Sequence, residues 1–224
     1  EISHPRSVLI AGGSGGLGSA LAAELASRGD VLTLVARNAD RLGVVPVAAK
    51  RLAVDLRDPF NAEVAVDVAA EHGGGLDVVI NAVGVVAFGD VSQLSLDTME
   101  ELFLTNTFVP ISLAKAALLR LRPGGTIVNI SGVIAEQNLP GMAAYGASKA
   151  AVRSFDQALA REARRAKIRV LDVRPPHTET GLADRAIEGE APRMPEGLSP
   201  ETVAKIIAEA IDGDATDLPS TAFS

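Results

Sequence analysis

The chain has no cysteine and no tryptophan, and only 3% of it is aromatic. Without cysteine there is no disulfide, no thiolate-held metal and no cysteine nucleophile. With one tyrosine and six phenylalanines among 224 residues, the core must be built from Val, Leu, Ile and Ala, which suits parallel strands packed against small-residue helices. Positive charge is in deficit as well: 21 Lys and Arg face 28 Asp and Glu, for a net charge of −7. The basic residues are scattered, so the electrostatic footprint of a nucleic-acid binder is missing. His4, His72 and His177 lie far apart and form no metal-ligand cluster. No apolar run approaches the ~20 residues that a membrane-spanning helix needs, and no apolar run follows a basic start as in a secretory signal. These absences lead us to expect a soluble, cytoplasmic protein with neither nucleic acid nor membrane as partner. The length suits one sizeable core, hence a single domain over residues 1–224.

The stretch Tyr145-Gly146-Ala147-Ser148-Lys149 contains the only tyrosine, four residues before a lysine, in a run that reads as helix from about Ala144 to Lys167. Positions i and i+4 share a helix face, so the phenol and the ammonium point the same way. A free phenol has a pKa near ~10 and a neighbouring cation favours phenolate, which makes Tyr145 a candidate general acid/base. On its own, this spacing equally describes a surface tyrosine beside a surface lysine. Ser131 adds weight: it ends the apolar run Gly125–Ile130, where its hydroxyl would sit at the C-terminal end of a buried strand just ahead of that helix.

From the beginning of the chain, Ser7–Ala11 reads as a buried strand, Gly12-Gly13-Ser14-Gly15-Gly16-Leu17-Gly18 as a loop, and Ser19–Arg28 as a helix closed by Gly29. Strand, glycine loop and helix together form a setting for a diphosphate, because the glycines allow close backbone approach and the helix start offers free N–H groups. The glycines fit three spacings: Gly13/Gly15/Gly18, Gly12/Gly16/Gly18 and Gly12/Gly15/Gly18. The loop alone therefore supports dinucleotide binding without choosing a family. Val31–Ala36 is the second strand. In a dinucleotide fold its end meets the adenosine ribose, where a carboxylate would bind the 2′-hydroxyl of NAD. This chain has Ala36 and then Arg37, which suits the 2′-phosphate of NADP. Asn38 is a further candidate for that phosphate, and NAD(H) remains the alternative.

The stretch Asp40–Lys50 is too short and broken for a full crossover helix. Arg51–Val54 is a strand ending at Asp55, and Asp58-Pro59 opens a helix to about His72. Leu76–Ile80 is a strand, followed by Asn81-Ala82-Val83-Gly84. Ser95–Leu121 reads as one long helix in which Asn106 is interior and Pro110 forces a kink or local break. Ile168–Val173 is the sixth strand. Residues 181–198 look like a loop or lid, Ser199-Pro200 caps a last helix to about Ile211, and a short strand is expected near Thr216–Phe223. Strands alternate with helices throughout, so the expected fold is α/β, a Rossmann-like doubly wound parallel sheet in three α/β/α layers. Ligands in such folds bind beyond the carboxyl ends of the strands. The glycine loop, Arg37, Asp55, Asn81, Ser131 and Thr178–Thr180 all fall at those ends.

With these residues in view, the whole chain resembles the short-chain dehydrogenase/reductase family in its compact single-domain form. The family pattern Thr-Gly-x-x-x-Gly-x-Gly is met by Ala11–Gly18 with Ala11 in place of Thr, and Asn-Asn-Ala-Gly by the looser Ile80-Asn81-Ala82-Val83-Gly84. Asn106, Ser131, Tyr145 and Lys149 match the catalytic tetrad in order and approximate spacing. The resemblance implies that Tyr145 exchanges a proton with a carbonyl or secondary alcohol as hydride passes to or from the nicotinamide. It implies that Ser131 hydrogen-bonds the substrate oxygen, that Lys149 holds the nicotinamide ribose and lowers the Tyr145 pKa, and that Asn106 anchors a water leading from Lys149 to solvent. It further implies cofactor contacts from Gly12, Ser14, Gly15, Gly16, Leu17, Gly18, Asp55, Leu56, Asn81, Ala82, Val83, Pro175, Thr178 and Thr180. The chain departs from the family in Pro175-Pro176, where the family has Pro-Gly, and in lacking a basic residue inside the glycine loop. It also lacks an Asp-Gly-Gly tail, so a homodimer through the long helices is expected ahead of a tetramer. Val85, Val86, Phe88, Leu139, Met142 and Leu182 lie in the stretches expected to line the substrate pocket, which points to an apolar or mixed small-molecule substrate. The alternative is a dinucleotide-binding sensor of the same fold that does not turn over.

Overall fold

A computed structural model describes residues 4–224. Seven strands form one sheet in the order β3-β2-β1-β4-β5-β6-β7, every pair parallel. They are β1 (Ser7–Ala11), β2 (Val31–Ala36), β3 (Ala49–Ala53), β4 (Leu76–Asn81), β5 (Leu121–Ile130), β6 (Arg169–Val173) and β7 (Asp217–Leu218). The chain winds outward from β1 to β3, then returns to place β4 on the other side of β1. Ala11 at the end of β1 lies opposite Asn81 at the end of β4, so the crevice where the winding reverses opens beside the glycine loop.

The strands are apolar on both faces because helices cover both. On one side α1 (Gly16–Ser27), α2 (Ala39–Gly43) and α7 (Pro200–Asp212) bury Leu21, Leu42 and Ile207 against Ile10, Leu34 and Leu171. On the other, α3 (Pro59–His72), α5 (Val109–Ala117) and α6 (Ala143–Glu162) bury Val66, Leu113 and Leu159 with Leu9, Val79 and Ile127. The N-cap of α3 is Asp58, which accepts from the Phe60 N–H, and Pro59 occupies the first turn. Ser199 caps α7 by accepting from the Thr202 N–H.

Several boundaries differ from the sequence reading. The first helix starts at Gly16 rather than Ser19, because its first turn belongs to the glycine loop and is held by tertiary contacts that propensity does not register. The expected helix 95–121 is three pieces: α4 (Leu96–Phe103), a π-helical turn at Leu104–Phe108, and α5. Pro110 stands in the first turn of α5 and has no N–H for the carbonyl four residues back, that of Asn106. Leu121 is the first residue of β5, paired with Leu76, and the register shifts before Val78 pairs with Thr126. The last turn before β6, Ala163–Ala166, is 3-10, and Lys167 closes it with a left-handed φ of 56°. The stretch 181–198 holds only a 3-10 turn at Ala183–Arg185 and isolated bridges from Ala87 to Glu188 and from Thr178 to Leu198. After β7 comes a 3-10 turn, Ser220–Phe223, where strand was expected.

Candidate functional site

At the end of β1 the backbone turns at Gly12 with φ +80°, and a Cβ there would stand 2.6 Å from the Ala82 carbonyl oxygen. A Cβ at Gly18 would overlap the Gly12 carbonyl, and one at Gly16 would meet Thr180 at 2.8 Å, whereas at Gly15 the nearest atom would be 3.3 Å away. The spacing that the fold requires is therefore Gly12/Gly16/Gly18. Gly15 is the N-cap of α1, no side chain caps that helix, and its first turn holds no acid. Its first N–H groups and the positive end of its dipole are left for an anion. A dinucleotide diphosphate fits this cradle, with Gly12, Ser14, Gly15, Gly16, Leu17 and Gly18 forming the turn around it. Ala82 bonds back to the Ala11 carbonyl at 2.9 Å, and the Asn81 side chain accepts from the Val83 N–H. These contacts seat Asn81, Ala82 and Val83 across the crevice from the loop.

At the far end, Arg37 and Asn38 follow β2 and are exposed. The Asn38 side-chain oxygen is the N-cap of α2, accepting from the Arg41 N–H at 2.8 Å, so capping uses the group that the sequence offered to a phosphate. Arg41, which the sequence reading passed over, brings its guanidinium within 3.3 Å of the Ser14 carbonyl. Arg37 after β2 and Arg41 on α2 are thus two basic side chains at this end of the sheet. A charged residue one turn after Arg37 was the available signal. Asp55 is held by the Arg57 guanidinium at 2.6 Å, and Arg57 also reaches Glu101 at 3.0 Å. That bond and, more weakly, Arg37 keep Asp55 below the usual carboxylate range. Leu56 beside it is buried.

Tyr145 lies in the first turn of α6 and Lys149 one turn later. Lys149 is 7% exposed, and its Nζ donates to the Ile130 carbonyl at 3.1 Å. Asn106, 1% exposed on the π turn, pairs with the Val85 backbone through both amide atoms at 2.8 Å. Its Nδ2 also reaches Ser148 Oγ at 3.0 Å, and Ser148 Oγ donates to the Tyr145 carbonyl at 2.7 Å. Ser148 was missed by sequence reasoning, although its place between Tyr145 and Lys149 was visible. Gly84 faces both groups: a Cβ there would stand 3.2 Å from Lys149 Nζ and 3.5 Å from Asn106 Oδ1. Asn106 and Lys149 thus meet beside Gly84, and Tyr145 and Lys149 line one cavity. Burial pushes the Tyr145 phenol up to about 12. Burial also lowers Lys149 to about 8, against an opposing pull from Asp172. At neutral pH the desolvated phenol keeps its proton.

Ser131 borders the same cavity as Tyr145 and Lys149, directly after Ile130, whose carbonyl accepts from Lys149. It is 0% exposed, and its hydroxyl donates to Asp172 on the neighbouring strand. Side chains alternate along a strand, so Ser131 shares a face with Asn129, whose amide meets Asp156 on α6 at 2.6 Å. In this structure its one hydroxyl proton goes to Asp172, while the residue itself borders the cavity.

A cavity of about 870 Å³ runs from Gly15–Gly18 past Tyr145 and Lys149. Val86, Phe88, Leu139, Met142 and Leu182 line it, as do Pro175, Thr178 and Thr180. Val85, expected there, instead gives its backbone to Asn106. Thr178 Oγ donates to the Pro176 carbonyl at 2.9 Å, and Thr180 Oγ accepts from the Leu182 N–H. The Pro175-Pro176 turn thus carries both threonines to the cavity rim without a cis peptide bond. Residues 220–224, which the sequence did not single out, also contribute to the lining.

A doubly wound sheet with a glycine cradle and, lining the cavity beside it, a tyrosine one helix turn from a buried lysine points to the class of nicotinamide-dependent oxidoreductases. Within that class, residues 6–191 match the model of the short chain dehydrogenase family, and the chain belongs to that family of enzymes. It is 31% identical to the dehydrogenase/reductase SDR family protein 7-like of Anopheles gambiae, over 94% of this chain and 73% of that protein. It is 30% identical to the 3-ketodihydrosphingosine reductase of Mus musculus, over 92% of this chain and 69% of that protein. A short-chain dehydrogenase from Sphingobium yanoikuyae in complex with NADPH superposes with a TM-score of 0.83 at 30% identity, covering 96% of this chain and 87% of that one.

Proposed function

We propose that the protein is an NADP(H)-dependent oxidoreductase that interconverts a carbonyl and a secondary alcohol on a small, largely apolar molecule, with Tyr145 as general acid/base. The observation that carries this is that Tyr145 and Lys149 line one largely apolar cavity with the glycine loop, with Asn106 meeting Lys149 behind Gly84. When bound, the nicotinamide supplies or accepts the hydride. Tyr145, whose phenol burial keeps neutral, gives its proton to the carbonyl oxygen, or takes one from the alcohol in reverse. Lys149, held at the Ile130 carbonyl, offers its ammonium to the phenolate so formed and to the nicotinamide ribose. Asn106 fixes the Val85 strand end and, through Ser148, the first turn of α6.

The preference for NADP(H) over NAD(H) rests on Arg37 and Arg41 near the ribose end, with Ala36 in place of a carboxylate at the end of β2. The NADPH complex of the similar short-chain dehydrogenase from Sphingobium yanoikuyae agrees with it. Residues 181–198 act as the substrate lid, since Leu182, Arg185 and Met194 line the cavity. The chain pairs as a homodimer through α4, the π turn and α6, where Leu104 and Phe108 stay exposed.

The deciding experiment measures NADPH consumption over a panel of apolar ketones and diketones, beside NADPH and NADH binding by fluorescence. Tyr145→Phe is expected to lower kcat by about 10²–10⁴-fold while NADPH binding stays within a few-fold. Arg37→Ala is expected to weaken NADPH more than NADH, and equal losses would remove the argument for NADP. NADPH binding without turnover of any carbonyl would favour the sensor reading, which the committed Ser131 hydroxyl supports.

A further inference from the structure

Arg174 is the largest fully buried side chain among the described residues, 1% exposed, and the mechanism above does not use it. It follows β6 directly. Its Nε donates to Glu136, and its Nη1 donates to Asp172 and, at 2.7 Å, to Asp217. Its backbone N–H reaches the Leu218 carbonyl at 2.9 Å. Glu136 in turn accepts from the Ser220 hydroxyl at 2.9 Å and from the Ser220 N–H at 3.3 Å, and Asp172 accepts from Ser131. One planar guanidinium therefore joins three separate segments: the turn after β5, the end of β6 and the stretch around β7. Each segment continues directly into the cavity wall, as Ile134 and Gln137, as Pro175 and His177, and as Thr221 and Phe223.

We propose that Arg174 is a positioning residue that sets the shape of the substrate cavity, and that Ser131 belongs to this clamp through Asp172 instead of touching the substrate oxygen. The physical argument is geometric and electrostatic. Arginine's fork reaches several acceptors at once in fixed directions, which a lysine ammonium cannot reproduce. Three carboxylates converge on it, those of Asp172, Glu136 and Asp217. Weakening the clamp leaves them facing one another, and the walls they carry separate. Ser131 has one proton and gives it to Asp172, so none remains for a carbonyl oxygen. Gly132 lines the cavity beside it with no side chain. None of the guanidinium's hydrogen bonds reaches the glycine cradle or Tyr145, and Asp172 acts on Lys149 only through its charge, so the clamp bears first on the fit of the substrate.

This proposal rests on the oxidoreductase reading, and the test keeps the two apart. The full chain is assayed with NADPH and 1-phenyl-1,2-propanedione, an apolar diketone, as wild type, Arg174→Lys, Glu136→Gln, Ser131→Ala and Tyr145→Phe. The melting temperature and the NADPH Kd are measured on each. Arg174→Lys and Glu136→Gln are expected to raise KM for the diketone about 5–20-fold, with kcat within about 3-fold and NADPH Kd within about 2-fold of wild type. Ser131→Ala is expected to keep kcat within about 3-fold, unlike Tyr145→Phe. Unchanged KM in folded clamp variants, or a kcat loss beyond about 100-fold in Ser131→Ala at unchanged KM, overturns the proposal. Should Arg174→Lys fail to fold, Glu136→Gln decides, because its carboxylate is partly exposed and the substitution keeps its shape. Should the wild type bind NADPH without reducing the diketone, the oxidoreductase reading falls alone. The clamp is then judged by quenching of bound NADPH fluorescence with the diketone: weaker diketone binding in the two clamp variants supports it, and equal binding overturns it.

Discussion

Asp156 shows how far a single side chain can strain against its surroundings. It is buried on α6, with one carboxylate oxygen bonded by Asn129 at 2.6 Å and the other without a partner among the described residues. Burial raises it from 3.8 to about 8, and the neighbouring charge of Asp172 adds to the shift. Between those values the folded protein holds a proton that the unfolded chain has lost, so stability falls as pH climbs from about 4 to about 8 and is flat above. Asp156→Asn keeps the acceptor for Asn129 and removes the charge. It is expected to stabilise the protein by about 1–3 kcal/mol at pH 8.5 and to change little at pH 5. Melting curves of both proteins across that range check this, and a substitution that destabilises equally at both pH values would contradict it.

At the scale of elements, the glycine loop and the π turn do the positioning. The loop is a close approach of two backbones: Gly18 in the first turn of α1 sits against the Gly12 carbonyl, and Gly12 sits against Ala82. Gly18→Ala forces these apart. It is expected to lower NADPH affinity at least 10-fold and to cost about 1–3 kcal/mol of stability, as overpacking does, measurable by fluorescence titration and thermal melting. Gly15→Ala, with more room, is the milder control. The π turn inserts one residue into what would be a single helix, and Asn106 on it turns inward to the Val85 backbone and Ser148. A π-bulge at such a place fits the tendency of these turns to occur at functional sites.

For the molecule as a whole, the sheet leaves a crevice at its reversal, and among the exposed apolar side chains two stand on the π turn between α4 and α5. Phe108 is 60% exposed and Leu104 37%, four residues apart on the same segment. Large apolar side chains left together on a surface mark a contact site. Phe108→Glu is expected to shift the protein from dimer to monomer in sedimentation or light scattering, with NADPH binding retained. A wild type that is monomeric at micromolar concentration would end the dimer proposal. The charge surplus of acids, −7 overall, keeps the rest of that surface hydrated. No helix among the described residues is long and apolar enough to cross a membrane.

The sequence by itself determined what is local or periodic. Apolar runs stopping at glycines marked the strands, the alternation of strands with helices marked the doubly wound fold, and i, i+4 spacing put Tyr145 and Lys149 on one face. Composition, with aliphatic residues and almost no aromatics, already called for a parallel sheet under small-residue helices. Tertiary structure decided whatever depends on which backbone lies beside which. Three glycine spacings were equivalent on paper until Gly12, Gly16 and Gly18 met Ala82, Thr180 and each other. Ser131 has the same identity whichever way it points; the neighbouring strand supplied Asp172 as the acceptor of its proton. Arg174 looked like one more basic residue until β6, β7 and the turn after β5 brought three carboxylates around it. Such partners lie tens of residues apart in the chain, so only the paired sheet could bring them together.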